Sequence, residues 1–421
     1  MAPIPPFAVE QASKSQSFSN AHLIMCLQWM DEYETKCKYN IAETCCASVS
    51  IKDLVNLSED TTTKAEDLID LDAPQTYGEI RGTTELRSNL SRLYSSKTGT
   101  PLPADNVLIT PGAISANHLA LYSLVGSGDH VICHYPTYQQ LYTIPETLGA
   151  SVSLWKSDPS NKWLPDVEDL KSLVKENTRL IIINNPQNPT GQILPKSLLQ
   201  KLIDFAESKT IAVMSDEVYR PLFHGIGPMD QEFPPSILSM GYRNTIVTGS
   251  LSKAYSLAGI RTGWVASRNP DFVSEMAKTR DYTTISVSKI DQSVANFALG
   301  PDTIHALLGR NIALARTNIE LLERWVIKHD EFCSWTKPVA GTTAFVKFQR
   351  DGKRIDVEAF CKDVQAKTGV MILPGTCFGK DQFEGYVRFG FVCGTGVLKE
   401  GLEELRKYMR KEFDDVPLAK E

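Results

Sequence analysis

No stretch of this chain approaches the roughly 18 consecutive apolar residues that a membrane span requires. A basic excess is missing too. Forty-four Lys and Arg stand against 50 Asp and Glu, a net charge of −6, which speaks against nucleic acid as a partner. The nine cysteines are odd in number, scattered, and never in C-x-x-C spacing. They read as reduced thiols of the cytosol rather than disulfides or zinc ligands, and no metal is expected. No G-x-G-x-x-G follows a strand, which disfavours a Rossmann dehydrogenase. The opening MAPIPPFAVE has no basic region followed by an apolar core, so it is not read as a secretory signal, and the closing LAKE is no recognisable address. A cytoplasmic location is the expectation. Repeats and long low-complexity tracts are absent.

What is present is a chain of 421 residues, 42% hydrophobic and 22% charged, as expected of a soluble protein of two domains. From residue 106 short apolar runs alternate with helical patterns: NVLITPGA, VICHYPTY, ASVSLWKS, RLIIINNPQNPTG, IAVMSDEVYRPL and NTIVTGSLSK. Such alternation predicts an α/β fold with a mostly parallel sheet covered by helices on both faces. After about residue 290 long helices and then short strands predict a smaller α+β domain. The expected division is an N-terminal arm and substrate-facing segment over 1–50, a large domain over 51–290 and a small one over 291–421. Residues 51–70 read as helical. The polar, serine-rich stretch within 11–28 reads as a short insertion or as sequence retained from a gene-model error.

The organising stretch is 245–264, TIVTGSLSKAYSLAGIRTGW. A buried strand ends in Gly249, Ser250, Leu251 and Ser252, and Lys253 follows. Lysine forms a Schiff base with an aldehyde, and Arg261 could clamp a phosphate. An aldehyde-bearing, phosphate-bearing cofactor is pyridoxal phosphate. Gly112, Tyr138, Asn188, Asp216, Tyr219 and Lys253 all fall just after predicted strands, where open α/β sheets bind ligands.

Together Asn188-Pro189-Thr190-Gly191, Asp216-Glu217-Val218-Tyr219, Ser250-Leu251-Ser252-Lys253 and Arg261 resemble the fold-type I pyridoxal-phosphate enzymes, the class I/II aminotransferases. The resemblance runs from about Ile41 to Arg388 with the motifs in family order. It implies pyridoxal 5′-phosphate held by Lys253 as an aldimine, with Asp216 on the pyridine nitrogen, Asn188 and Tyr219 on the ring hydroxyl and Tyr138 stacked on the ring. Gly112, Ala113, Ser250, Ser252 and Arg261 would take the phosphate. Tyr77, in Gln75-Thr76-Tyr77-Gly78, would reach the phosphate of a neighbouring subunit, which implies a homodimer with shared sites. Arg388 would grip the substrate α-carboxylate. Lys253, Asp216 and Tyr219 are the expected catalytic residues. As a base Lys253 would need its pKa lowered from about 10.4.

Ile41-Ala42-Glu43-Thr44-Cys45-Cys46 resembles the aminocyclopropane-carboxylate-synthase branch, with Thr44 in place of its Asn, and makes Glu43 a substrate-facing residue. Cys45 and Cys46 read as small packing residues, or as a face toward a sulfur-bearing substrate. The AETCC stretch also resembles fungal aminotransferase-like enzymes of sulfur-containing secondary metabolism. The activity implied is transamination of an amino acid through a quinonoid; the alternative is carbon–sulfur lyase chemistry by α,β-elimination. A non-catalytic regulator on this fold would carry a basic segment ahead of it, and the segment here is short and not basic. No second arginine matches a reader of a side-chain carboxylate. Arg81 and Arg280 read as solvated surface residues, so aspartate and glutamate are expected to be poorer donors than neutral or thioether-bearing substrates.

Overall fold

The computed structural model describes residues 25–95 and 100–420. The chain opens with α1 (Met25–Tyr33), the two-residue strand β1 (Tyr39–Asn40), α2 (Ile51–Asn56) and α3 (Thr84–Ser95). The alternating region then runs β2 (Val107–Thr110), α4 (Gly112–Leu124), β3 (His130–Tyr135), α5 (Gln140–Thr147), β4 (Ser151–Lys156), α6 (Val167–Leu173) and β5 (Thr178–Asn184). It continues with α7 (Lys196–Ser208), β6 (Ala212–Asp216), β7 (Thr245–Ser250), β8 (Gly263–Ser267) and α8 (Pro270–Arg280). Helices α9 (Lys289–Ala298) and α10 (Pro301–Ile327) lead into β9 (Cys333–Trp335), β10 (Thr343–Arg350) and β11 (Lys353–Arg354). The last elements are α11 (Val357–Thr368), β12 (Val370–Met371), β13 (Leu373–Pro374), β14 (Tyr386–Gly390) and α12 (Thr395–Lys411).

The large sheet has the order β2-β8-β7-β6-β5-β3-β4. Its pairs are parallel from β4 through β7, and β8 lies antiparallel between β7 and β2. The apolar run of β5 explains the layering. Ile181 and Ile183 enter one core, while Leu180 and Ile182 enter a second core on the other face with Val131 and Cys133. Successive side chains of a strand point to opposite faces, so a continuous apolar run demands cover on both. Each such buried aliphatic contributes about 1.5–3 kcal/mol.

Two sequence-based expectations need correction here. NTIVTGSLSK, the last of the apolar runs read from the sequence, does not end the strand series, because β8 inserts beside β7 with Trp264, Val265 and Ala266 buried. The predicted helix over 51–70 is confined to Ile51–Asn56, capped by a reciprocal Ser50–Asp53 box, with a single 3-10 turn at Ala65–Leu68. Between them the Asp60 carboxylate accepts from the Thr62 amide and the Thr62 and Thr63 hydroxyls. Such local bonds offer the backbone an alternative to the helix.

A second sheet, β11-β10-β14-β13 with β9 on β10, follows α10. The N-terminal segment is sewn to this later half. β1 pairs in parallel with β12, and the Gly390 amide donates to the Ile41 carbonyl. The next residues turn toward the large sheet, where the Cys46 amide donates to the Lys253 carbonyl. Residues 41–46 therefore bridge β14 and the loop after β7.

Candidate active site

Five parallel strands, β2, β3, β5, β6 and β7, end at the same edge of the large sheet. The loops and helix starts beyond them enclose a cavity of about 250 Å³. Ala113, Tyr138, Asn188, Asp216, Tyr219, Ser250, Ser252, Lys253, Arg261, Arg388 and Glu43 all line it. The physical cause is the parallel topology: each crossover returns the chain to the same end, so unrelated loops converge there.

Lys253 sits at the centre of a polar knot formed by the 43–45 segment. Its Nζ donates to Thr44 Oγ1 at 2.6 Å and lies 3.3 Å from both Glu43 Oε1 and Cys45 Sγ. Burial favours the neutral amine, but contact with Cys45, Glu43 and Tyr219 outweighs it, so the ammonium is held above its ordinary value. The lowering that a basic lysine needs is therefore not present in this arrangement. At neutral pH the charge responsible is that of Glu43, since burial pushes the Cys45 thiol up to about 11. Burial would raise the Glu43 carboxyl as well. The Lys253 ammonium and bonds from Cys45 and Thr44 reverse that, holding it at about 2. Cys46 is fully buried in the core, so the two adjacent cysteines divide between wall and packing.

Asp216 ends β6 and is buried. Its Oδ1 accepts from the Val218 amide at 3.0 Å and its Oδ2 from Asn117 Nδ2 at 2.9 Å. Burial raises its pKa, opposed first by the Asn117 bond, then by the Val218 amide and the charge of Lys253. Asn117 is in turn fixed by the Thr248 hydroxyl, which donates to its Oδ1 at 2.6 Å. Tyr219 and Tyr138 are both raised by burial, Tyr138 to about 12, so both stay neutral phenols.

At the other end of the cavity α4 begins at Gly112, whose φ of +79° favours glycine. A Cβ there would stand 2.6 Å from Arg261 Nη2. The bare backbone lets the guanidinium lie against the helix start, where free N–H groups favour an anion. Arg261 Nη1 donates to Ser252 Oγ at 3.3 Å and to the Ala258 carbonyl at 2.9 Å. Arg388 enters from β14, registered opposite Phe345 on β10. Its Nη2 donates to the Ala42 carbonyl at 2.8 Å and its Nη1 to Asn188 Oδ1 at 3.4 Å, while its Nε is buried without a partner.

Tyr77 is 78% exposed on the loop before α3, away from this chain's own cavity. Two predicted placements differ. Arg280 is not a solvated residue but is buried at the end of α8, its pKa lowered to about 10 by that burial; Arg81 is exposed, and neither lines the cavity. The stretch read as an insertion or an error is, over residues 25–28, part of the packed fold. α1 places Cys26, Leu27 and Met30 on the cavity wall, with the Met25 amide bonded to Gln139 Oε1 and Trp29 Nε1 to the Ile372 carbonyl. Residues 11–24 lie outside the described residues. The apolar run AHLIMCLQWM reads as the start of a helix through Tyr33, and α1 forms there; what the sequence did not show is that this helix lines the cavity. Asn117 was missed because it lies mid-helix with no motif around it. Among the described residues no group of His, Cys, Asp and Glu could hold a metal ion, and no helix is long and apolar enough to cross a membrane.

The family model for aminotransferase class I and II matches residues 53–405. The chain is 31% identical over 314 residues to capreomycidine synthase of Streptomyces vinaceus, covering 74% of this chain and 77% of that protein. It is 30% identical over 342 residues to an aspartate aminotransferase of Pyrococcus horikoshii, covering 80% and 83%. Among solved structures, a PLP-dependent aminotransferase from Streptococcus suis superposes with a TM-score of 0.84 at 37% identity, over 93% of this chain and 98% of that one. Fold and family define the class as pyridoxal-phosphate enzymes of fold type I. The chain belongs to the class I and II aminotransferases, and its cofactor is pyridoxal 5′-phosphate.

Proposed function

We propose that this enzyme acts on the amino group of an amino acid or a derivative of one, with Lys253 as the amine that holds the cofactor and moves the Cα proton. The observation that carries the reading is the convergence of Lys253, Asp216, Arg261 and Arg388 on one cavity. The residues fit the cofactor. Gly112 has no Cβ to crowd a phosphate beside Arg261, Asp216 is a buried carboxylate suited to a protonated ring nitrogen, and Arg388 has a buried, unpartnered Nε. When bound, pyridoxal phosphate supplies an aldehyde for the amine and a ring that takes up the electron pair left by the departing Cα proton.

In this reading Gly112, Ala113, Ser250, Ser252 and Arg261 hold the phosphate, and Asn188 and Tyr219 the ring hydroxyl. Tyr138 covers the ring face. Asp216 keeps a proton on the ring nitrogen. Arg388 orients the α-carboxylate with a two-pronged donor, and Lys253 Nζ takes the proton from Cα and returns it elsewhere. Leu71, Tyr77, Ile80, Tyr282 and Ile285 are exposed apolar residues on two loops joined by the Lys289 Nζ bond to the Pro74 carbonyl. They support a homodimer in which Tyr77 reaches a neighbouring site. The two sheets support a larger domain up to about residue 290 and a smaller one beyond it.

Elimination of a β-substituent, as in a carbon–sulfur lyase, begins with the same proton removal. The Cys45 thiol on the cavity wall and the Ala42-Glu43-Thr44 segment support keeping that second reading, near the aminocyclopropane-carboxylate-synthase-like branch and secondary metabolism. Borohydride reduction of the purified holoenzyme should fix a pyridoxyl label on Lys253; label on another lysine overturns the assignment. Product analysis with amino acids and S-substituted cysteines then separates transamination, a keto acid with the amino group kept on the cofactor, from elimination, which releases ammonia and a thiol along with pyruvate.

A further inference from the structure

We propose that Glu43 determines substrate specificity by pairing with a positive charge on the substrate side chain, so that the preferred amino acid carries an ammonium or guanidinium group. The proposal rests on the function proposed above. It follows from the charges on the cavity wall, which among the described residues are Lys253, Arg261 and Arg388 against Glu43 and Asp216. The phosphate takes up Arg261, the α-carboxylate takes up Arg388, and the ring nitrogen takes up Asp216. Glu43 has Lys253 as its ion-pair partner, and that partner is withdrawn when Nζ serves as the cofactor-binding amine. One carboxylate is then left facing the substrate without a cation. A largely buried charge in that position is unfavourable unless a ligand matches it.

The geometry of Glu43 suits a ligand. Its Oε1 accepts from the Thr44 amide at 2.5 Å and the Cys45 amide at 2.8 Å, bonds that do not depend on Lys253. These contacts, with Lys253 Nζ and the Thr44 hydroxyl, all fall on Oε1, and among the described residues none falls on Oε2. The side chain is one-third exposed, toward the cavity. The carboxylate is thus oriented by backbone with one oxygen to spare. Leu27, Met30 and Ile114 on the same cavity wall offer apolar cover for the methylene stem of a long basic side chain. The wall holds no further Lys or Arg to receive a side-chain carboxylate, which Glu43 would also repel. Acidic substrates stay disfavoured, as the sequence suggested, but the preferred class becomes cationic rather than neutral.

The test uses the holoenzyme and its Lys253→Ala variant, which cannot turn over. Dissociation constants of L-arginine, L-lysine, L-norleucine and L-glutamate are measured by calorimetry on the variant, and kcat/KM on the wild type. L-arginine or L-lysine should bind at least roughly tenfold tighter than L-norleucine, and Glu43→Gln should remove most of that ratio, read as relative binding in the Lys253→Ala background and as relative kcat/KM in the wild type. Gln keeps an Oε1 acceptor for the two amides; Glu43→Asp, which keeps the charge, should retain part of the preference. A ratio unaltered by Glu43→Gln overturns the proposal and leaves Glu43 as an anchor for Lys253 alone. A preference for L-norleucine or L-glutamate in the wild type overturns it as well. If no amino acid binds or reacts with the wild-type holoenzyme, the proposed function falls and this inference with it.

Discussion

Replacing Asn117 by Ala tests the electrostatic core of the site through a residue that no motif marks. Asn117, Thr248 and Asp216 are all buried, and Asn117 spans the other two, donating to Asp216 Oδ2 and accepting from the Thr248 hydroxyl. A hydrogen bond to a charged group contributes about 1.5–3 kcal/mol, and a stranded buried hydroxyl costs about 1–3 kcal/mol. The two losses overlap, because the neighbours can settle, so the variant should lose about 2–4 kcal/mol of stability in denaturant titration. The functional consequence has a definite sign. Burial already raises the Asp216 carboxyl, and the Asn117 bond is the largest influence lowering it. Without that bond the carboxyl rises further, more of it is protonated at a given pH, and its hold on a protonated ring nitrogen weakens. The acid limb of kcat/KM should therefore move to higher pH, and cofactor retention should weaken by about tenfold or more. Thr248→Val separates the two effects: it should lose stability while leaving the pH profile in place. A folded Asn117→Ala enzyme with an unmoved acid limb would refute the reasoning, because Asp216 would then owe its state to something other than Asn117.

Gly390→Ala should be disruptive although glycine is lost from a strand, because the new Cβ would fall on the carbonyl of Glu43. The 41–46 segment must move, so a loss of about 1–3 kcal/mol in denaturant titration should accompany lowered turnover; normal stability would show that the approach is not close. Tyr77→Ala and Lys253→Ala should each be inactive alone, and mixing them under conditions of subunit exchange should restore part of the activity through hybrid dimers. Demonstrated exchange without recovery would place the whole site within one chain.

Residue types and spacing were enough to identify the strand–helix alternation, the apolar strands buried on both faces, and the residues at their ends. Strand ends carry chemistry in local signatures: Asp216 beside Tyr219, Asn188 in a turn, Ser250 to Lys253 before Arg261. These depend on a few consecutive residues, and so a linear reading finds them. Tertiary structure alone decided how distant segments meet. Asn117 is 99 residues from Asp216, and Lys253 is 210 residues from Glu43; nothing local marks either pairing. Strand β8 escaped notice because five residues after a loop give no period to count, and its place depends on the gap between β2 and β7. Burial of Arg280 and the use of α1 as a cavity wall were likewise settled by packing. The charge of Lys253 shows the difference most directly. Sequence identifies the amine, but whether it sits as an amine or an ammonium depends on the carboxylate that the fold brings within 3.3 Å of it.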